Sequence, residues 1–263
     1  MILGVDVSEY QGEMDWDKAK DAGAEFGYFR VGCGPDSIDD QLARNKVLAP
    51  GVFPTGGYWA FNPSWSPLEQ ADLFCDQLAT WDWKLRPWAD VELTGTAGII
   101  DRTQALENFI LRIVQRIRVM PIIYTRAVWF KDHILPHMLW NCCDLAVARY
   151  CGLPGPWADG DCVPRDWDDW LFWQWSADGN LRGPEFGAQS DSIDLDWYQG
   201  TLYGAIEKKV STRWAVWIKG KPVANAAATG AVWKNVELEQ VGEQGEWIKV
   251  AGWLQKGAIR EVL

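Results

Sequence analysis

The chain has 263 residues, 48% of them hydrophobic, and a formal net charge of −11. That length holds one large domain plus a small one, with ample material for a core, and the acidic balance argues against nucleic acid as the main partner. No apolar run approaches the roughly 20 residues that a bilayer crossing needs, so no membrane-spanning helix is expected.

The charge is uneven. Residues 204–263 hold nine Lys or Arg against six Glu, which leaves the first 203 residues at −14. The opening Met1-Ile2-Leu3-Gly4-Val5-Asp6 lacks the basic and long apolar regions of a signal peptide. Action outside the cell would then need a removed export signal or another route of release. Cys33 and Cys75 sit in apolar segments and read as core residues. Cys142, Cys143, Cys151 and Cys162 crowd one region, where a Cys151 to Cys162 bridge is one of three pairings that the sequence leaves open. No Cys-x-x-Cys pair among them points to zinc.

In chain order, Ile2 to Val7 reads as a strand ending near Asp6, followed by a loop and a short helix from Trp16 to Ala22. Phe26 to Val31 is a second strand carrying Arg30. Asp40 to Leu48 fits a helix that Pro50-Gly51 ends. Thr55 to Phe61 is a third, aromatic strand with Tyr58 and Trp59. Ser66 to Leu78 reads as a helix opened by Ser-Pro. Pro87 to Leu93 is a fourth strand, Asp101 to Arg118 a strongly amphipathic helix with Asp101 as its expected N-cap, and Pro121 to Thr125 a fifth strand with Tyr124. A short helix from Ala127 to Ile134 follows. Asp144 to Tyr150, Leu171 to Ser176 and Ser192 to Trp197 read as strands, but between them Pro, Gly, Trp and Asp replace any helical period. Repeated strand-helix alternation implies a mostly parallel sheet. Eight strands imply a closed barrel of the TIM type with incomplete helices, whose chemistry belongs at the strands' carboxyl ends. Asp6, Tyr58, Asp90, Glu92, Tyr124 and Asp194 are all expected there.

Within the fourth strand, Asp90 and Glu92 are two residues apart. Strand alternation puts both on one face, roughly 6 to 7 Å apart along the chain. Two acids on one surface split their pKa values, leaving one as a proton donor and the other as an anion. That division suits glycoside cleavage, which needs a proton for the leaving oxygen and an anion facing the developing positive charge. Nineteen tryptophans exceed what a core of this size requires, and sugar rings pack their apolar faces on indole. The two histidines, His133 and His137, flank Pro136, which would distort a helix presenting both to zinc, so a metal-dependent amidase or peptidase is disfavoured. Neither histidine follows a recognisable Cys nucleophile motif.

From about Gly204 the texture changes to short β-rich pieces, such as Trp214 to Ile218, Glu246 to Val250 and Gly252 to Leu254, separated by Gly and polar turns. This divides the chain into a barrel over 1–204, a linker over 205–211 and a small all-β module over 212–263. For Trp214, Trp217, Trp247 and Trp253 the sequence leaves open whether they fill a small core or face a partner.

Gly4-Val5-Asp6-Val7-Ser8 with Gln11-Gly12, then Phe29-Arg30-Val31-Gly32, Gly57-Tyr58, Ala89-Asp90-Val91-Glu92, Ile123-Tyr124, Trp173-Gln174-Trp175 and Ile193-Asp194-Leu195 resemble, in that order, glycoside hydrolase family 25, the Chalaropsis-type lysozymes that include many phage endolysins. The resemblance covers roughly residues 1–200, and the tail resembles a bacterial Src-homology-3-like domain. What the resemblance implies is hydrolysis of the β-1,4 bond between N-acetylmuramic acid and N-acetylglucosamine in peptidoglycan, outside the cell and without a cofactor or metal. It makes Glu92 the proton donor, Asp90 its companion, and Asp6 and Asp194 the first-strand and last-strand acids. Arg30, Tyr58, Trp59, Tyr124, Gln174 and Trp175 are the expected sugar contacts, Arg30 standing where relatives often carry Lys. Direct attack by Asp90 and attack by the substrate's own acetamido oxygen both remain open, the latter resembling chitinase-type barrels. A catalytically inactive wall-binding protein on this scaffold, or a hydrolase of another N-acetylglucosamine polymer, are the alternatives. The tail is expected to help bind the wall.

Overall fold

A computed structural model describes residues 1–35, 37–150 and 163–199, and beyond them the backbone of short strands between residues 210 and 255. The expected Cys151 to Cys162 bridge, linker residues 205–209 and Trp214 lie outside the described residues.

Eight strands close a barrel: β1 (Ile2–Val7), β2 (Phe26–Cys33), β4 (Thr55–Ala60), β5 (Trp88–Asp90), β6 (Ile122–Arg126), β7 (Leu145–Ala148), β8 (Phe172–Ser176) and β9 (Asp194–Tyr198). A two-residue strand, β3 (Ser37–Ile38), hangs antiparallel on the end of β2. Pairing is parallel from β1 through β8. The last strand differs, because β9 runs antiparallel to both β8 and β1 and closes the ring. A parallel return needs a crossover on the sheet's outer face, whereas the link from β8 to β9 holds only two 3-10 turns, Gly179–Leu181 and Gly183–Phe186. The chain therefore re-enters the barrel from the end where it left. The expectation that Asp194 stands at a strand's carboxyl end is corrected accordingly. It is the first residue of β9, and the reversed direction brings it to the same mouth as the other strands' ends, with Asp194 directly opposite Asp6.

Among the described residues, helices follow the earlier strands only: α1 (Trp16–Asp21), α2 (Leu42–Leu48), α3 (Pro67–Leu78), α4 (Ile99–Ile117) and the short α5 (Ala127–His133). Ser66 caps α3, its hydroxyl accepting from the Glu69 amide at 3.3 Å, with Pro67 at the first helical position. The apolar stripe of α4, Leu106, Phe109, Ile110, Ile113 and Val114, is buried against the barrel. This helix starts two residues earlier than the sequence suggests. Its N-cap is Gly98 and Asp101 lies inside the first turn, where a carboxylate favours the positive end of the helix dipole. The outer faces of α3 and α4 are joined by Asp72, which accepts from Arg112 at 2.7 and 3.0 Å and from Arg116 at 2.6 Å.

Strand alternation splits the apolar residues into two sets. Val5, Val7, Phe29, Val31, Trp59, Ala89 and Ile123 face outward and pack beneath the helices. Phe26, Tyr28, Trp88, Ile122, Tyr124, Phe172 and Tyr198 point inward and fill the barrel. In this interior Tyr28 stacks on Trp88 with ring centroids 3.8 Å apart, and Trp88 stacks in turn on Tyr124 at 5.7 Å. Glycines on neighbouring strands make the room. A Cβ on Gly4 would stand 2.2 Å from the Phe26 ring, and one on Gly56 2.3 Å from Tyr28, so bulk is transferred from one strand to the next rather than shared. The floor is thus largely an aromatic layer, with a polar cavity above it at the mouth.

In the C-terminal region the described strands include a five-stranded antiparallel sheet that contains Val216–Lys219, Trp247–Lys249 and Trp253–Gln255. Among the described residues of this region the elements are all strands.

Candidate active site

At the mouth lies a cavity of about 190 Å³ lined by Asp6, Tyr58, Trp88, Asp90, Glu92, Tyr124, Tyr150, Gln174, Ala177 and Asp194. Its side chains arrive from β1, β4, β5, β6, β8 and β9 and from the segments just beyond them, so residues up to 188 positions apart in sequence meet here.

The Asp90–Glu92 segment is held from both sides. Asp90 ends β5, opposite Ala60 of β4 and Tyr124 of β6. The Phe61 amide donates to the Asp90 carbonyl at 2.9 Å, the Val91 amide donates to the Tyr124 carbonyl at 2.8 Å, and the Thr125 hydroxyl donates to the Val91 carbonyl at 2.7 Å. Regular pairing therefore stops at Asp90, two residues short of Glu92, yet the backbone remains clamped. The loop that follows is tied by Arg102, a buried guanidinium that donates to the carbonyls of Thr94 (2.8 Å), Ala97 (2.6 Å) and His133 (2.9 Å). An arginine spending its donors on main-chain carbonyls fixes a loop that has no sheet partner of its own.

The acids differ in surroundings. Asp90 is 8% exposed, and one of its carboxyl oxygens has no hydrogen-bond partner among the described residues. Burial first, then the nearby Glu92 and Asp6, hold its pKa well above the ordinary carboxylate range. Glu92 is more open, with a third of its side chain exposed, and its carboxylate lies 3.3 Å from Arg126 Nε. Burial raises its pKa while Arg126 pulls it back down. Asp194 is pushed up by burial and then by Asp6, Glu92 and Asp178. Asp6 is raised by burial to about 6, less than burial alone would give, because Gln174 donates to it. That bond, Gln174 Nε2 to Asp6 Oδ2, is 2.6 Å. The amide is oriented by two phenols, Tyr124 and Tyr150, whose hydroxyls donate to Gln174 Oε1 at 2.9 and 2.8 Å.

Of the sugar-contact residues expected from the sequence, Tyr58, Tyr124 and Gln174 line the cavity. Trp59 does not. It is fully buried on the outer face of β4, stacked toward Phe74 at 5.7 Å with its indole nitrogen 3.5 Å from Gln70. Alternation sends it to the helices because Tyr58 takes the inward position. Trp175 likewise follows the inward Gln174 and stands outside, against Trp197 at 6.3 Å. Arg30 stands outside the cavity lining, with Asp39 accepting from its Nε at 2.9 Å and Glu9 bound to its Nη2. The guanidinium stands 5.1 Å from the Tyr10 ring. His133 stacks on Trp129 and His137 lies 3.7 Å from Glu107. Neither lines the cavity, and among the described residues no group of His, Cys, Asp and Glu is arranged to hold a metal.

Sequence reasoning missed Trp88, Tyr150, Arg126 and Asp196. Trp88 was accessible to the period-2 rule, being two residues before Asp90. Tyr150 follows β7 at the mouth as Glu92 follows β5. Asp196 shares a face with Asp194 two residues away and points deeper into the barrel, where the aromatic composition of the other strands gave no hint of a further acid.

A closed α/β barrel with four carboxyls around one cavity at its mouth has the makings of a glycoside hydrolase. Comparison with known proteins places it further. The family model for glycosyl hydrolases family 25 matches residues 5–184, and the chain belongs to that family. It is 26% identical over 216 residues to Lysozyme M1 of Streptomyces globisporus, covering 76% of this chain and 68% of that one. The fold is shared with a family 25 glycosyl hydrolase from Bacillus anthracis (TM-score 0.64, 24% identity, 76% of this chain and 90% of that one). It is also shared with the bacterial lysozyme of Streptomyces coelicolor (TM-score 0.63, 23% identity, 78% and 94%).

Proposed function

We propose that this glycoside hydrolase is a lysozyme that cleaves the β-1,4 bond between N-acetylmuramic acid and N-acetylglucosamine of bacterial peptidoglycan, acting on the wall from outside the cell. The observation that carries the reading is the convergence of Asp6, Asp90, Glu92 and Asp194 on one cavity; the name of the Streptomyces globisporus relative supports the substrate.

Glu92 is the general acid. It is the acid of the Asp-x-Glu pair nearest solvent, so it can reload its proton from water after each turnover, and burial keeps that proton available toward neutral pH. Asp90 stands behind it. One of the Asp90 carboxyl oxygens has no partner among the described residues and is available to accept from an acetamido N–H. This favours attack by the substrate's own acetamido oxygen, with Asp90 in its ionised form orienting that group and accepting from its N–H as the positive intermediate forms. Both this route and direct attack by Asp90 are double displacements that retain anomeric configuration. Tyr58 offers ring surface to the sugar at the cavity wall, with the buried Trp88 beneath it. The C-terminal β-region, read as a Src-homology-3-like module, would tether the enzyme to its polymer.

The test is clearing of a bacterial wall suspension by wild type and Glu92→Gln, with analysis of the reducing ends released. Muramic acid ends, retained configuration and a loss of about a hundredfold or more in the variant are expected. Glucosamine ends, inverted product or undiminished activity would each reject the assignment.

A further inference from the structure

Below the four acids lies a fifth carboxyl that the proposed chemistry does not use. Asp196 is fully buried. It faces Gly4 on β1 and Gln174 on β8 across the antiparallel ladders, two residues below the Asp6–Asp194 pair, so its carboxyl shares the inward face with Asp6 and adjoins it. Neither Asp196 oxygen receives an N–H or O–H donor from any other described group. Two carboxyls in contact need a proton between them, and its location follows from their partners. Asp6 Oδ2 already accepts from Gln174 Nε2 at 2.6 Å, and that amide cannot reverse without abandoning the two phenol donors on its Oε1. A charge on Asp6 is therefore stabilised by fixed donors, whereas a charge on Asp196 would be buried and bare.

We propose that Asp196 is a positioning residue: it stays protonated inside the barrel, donates to Asp6, and thereby makes Asp6 the member of the pair that ionises. The proposal rests on the hydrolase reading for its consequence, though not for its physics. Anionic Asp6 opposes ionisation of Asp90 and of Asp194, so the buried donor settles how charge is shared at the mouth. The groups facing this pair are Tyr28, Tyr58 and Tyr124 from β2, β4 and β6, Asp90 and Glu92 at β5, Tyr150 after β7, and Asp194 on β9 itself. The barrel's arginines are engaged elsewhere: Arg30 with Asp39 and Glu9, Arg86 with Asp144, Arg126 with Glu92. The sign of the effect on Asp196 agrees, since burial and the Asp6 charge both hold its proton in place.

The experiment follows the carboxyl carbons of aspartate by NMR titration in the full-length protein and in Asp196→Asn, Asp196→Leu and Asp6→Asn, with the pH profile of kcat/KM on wall suspensions beside it. The amide in Asp196→Asn still donates, so the Asp6 midpoint and the acid limb of the profile should stay where wild type has them. In Asp196→Leu both should rise by about one pH unit, the size of one charge-assisted hydrogen bond, giving about a tenfold loss of kcat/KM a unit below the wild-type midpoint. Should Asp196→Leu fail to fold, Asp6→Asn decides, because removing the neighbouring anion must lower the midpoint of Asp196. An Asp6 midpoint indifferent to Asp196→Leu, equal shifts in the Asn and Leu variants, or an Asp196 midpoint unmoved in Asp6→Asn would each overturn the proposal. If wild type leaves wall suspensions uncleared, the lysozyme reading fails while the titrations still decide this one.

Discussion

Replacing Arg126 by Gln should extend activity to higher pH. The Arg126 guanidinium lies 3.3 Å from the Glu92 carboxylate, with half of the arginine side chain and a third of the glutamate side chain in solvent. Such a cation favours the charged form of Glu92, which lowers the pKa of a group that, as the proposed general acid, is active when protonated. At that exposure the pair is worth at most about 1 kcal/mol, and 1.36 kcal/mol corresponds to one pH unit, so removal of the cation should raise the Glu92 pKa by about 0.5 to 0.7. The basic limb of the kcat/KM profile then moves up by that amount, and activity a unit above the wild-type midpoint rises about two-and-a-half- to fourfold. The assay is initial clearing rate of a wall suspension from pH 5 to 9 at constant ionic strength, repeated at high salt, where wild type should approach the variant as the pair is screened. A basic limb that stays in place, or moves downward, would refute the assignment of Glu92 as the proton donor controlled by this contact.

Other outcomes follow from the same geometry. Asp6, raised to about 6 from an ordinary 3.8, binds a proton more tightly folded than unfolded. Its contribution is fully present below about pH 4 and is lost as pH rises through 6, about 3 kcal/mol in all, so chemical denaturation should find less stability at pH 7 than at pH 4, with a shallower slope in Asp6→Asn. Trp59→Ala should cost about 3 to 5 kcal/mol of stability, as large core truncations do, while leaving KM for wall fragments unchanged at a temperature where the variant is folded; a raised KM would return Trp59 to the groove. Arg102→Leu removes three carbonyl partners from the loop after Glu92 and should lower kcat with increased hydrogen exchange confined to residues 93–98 and the start of α4. Deleting residues 210–263 should reduce pull-down by intact walls but spare cleavage of soluble fragments; undiminished binding would reject a tethering role.

Much of the barrel was legible in one dimension because its signals are local. Apolar strands alternating with helices such as α4, the Ser66-Pro67 helix start and the loss of helical period after residue 144 all reflect short-range preferences that survive in the fold. The Asp90–Glu92 pair was legible for the same reason, as a spacing of two on an extended chain. What failed was direction and depth. Trp59 and Trp175 sit beside inward residues in sequence, and adjacency in a strand means the opposite face.

The sequence by itself determined which acids were candidates for chemistry and that they lie on or next to barrel strands, since residue type and periodicity are properties of short stretches. Only the tertiary structure decided that β9 runs backward into the barrel, that Arg30 is engaged by Asp39 and Glu9, that Arg126 restrains Glu92, and that Asp196 meets Asp6 beneath the cleft. Each of these depends on contacts across long stretches of chain. Charge, burial and proton location are settled by which distant groups a carboxyl meets once the ring of strands has closed.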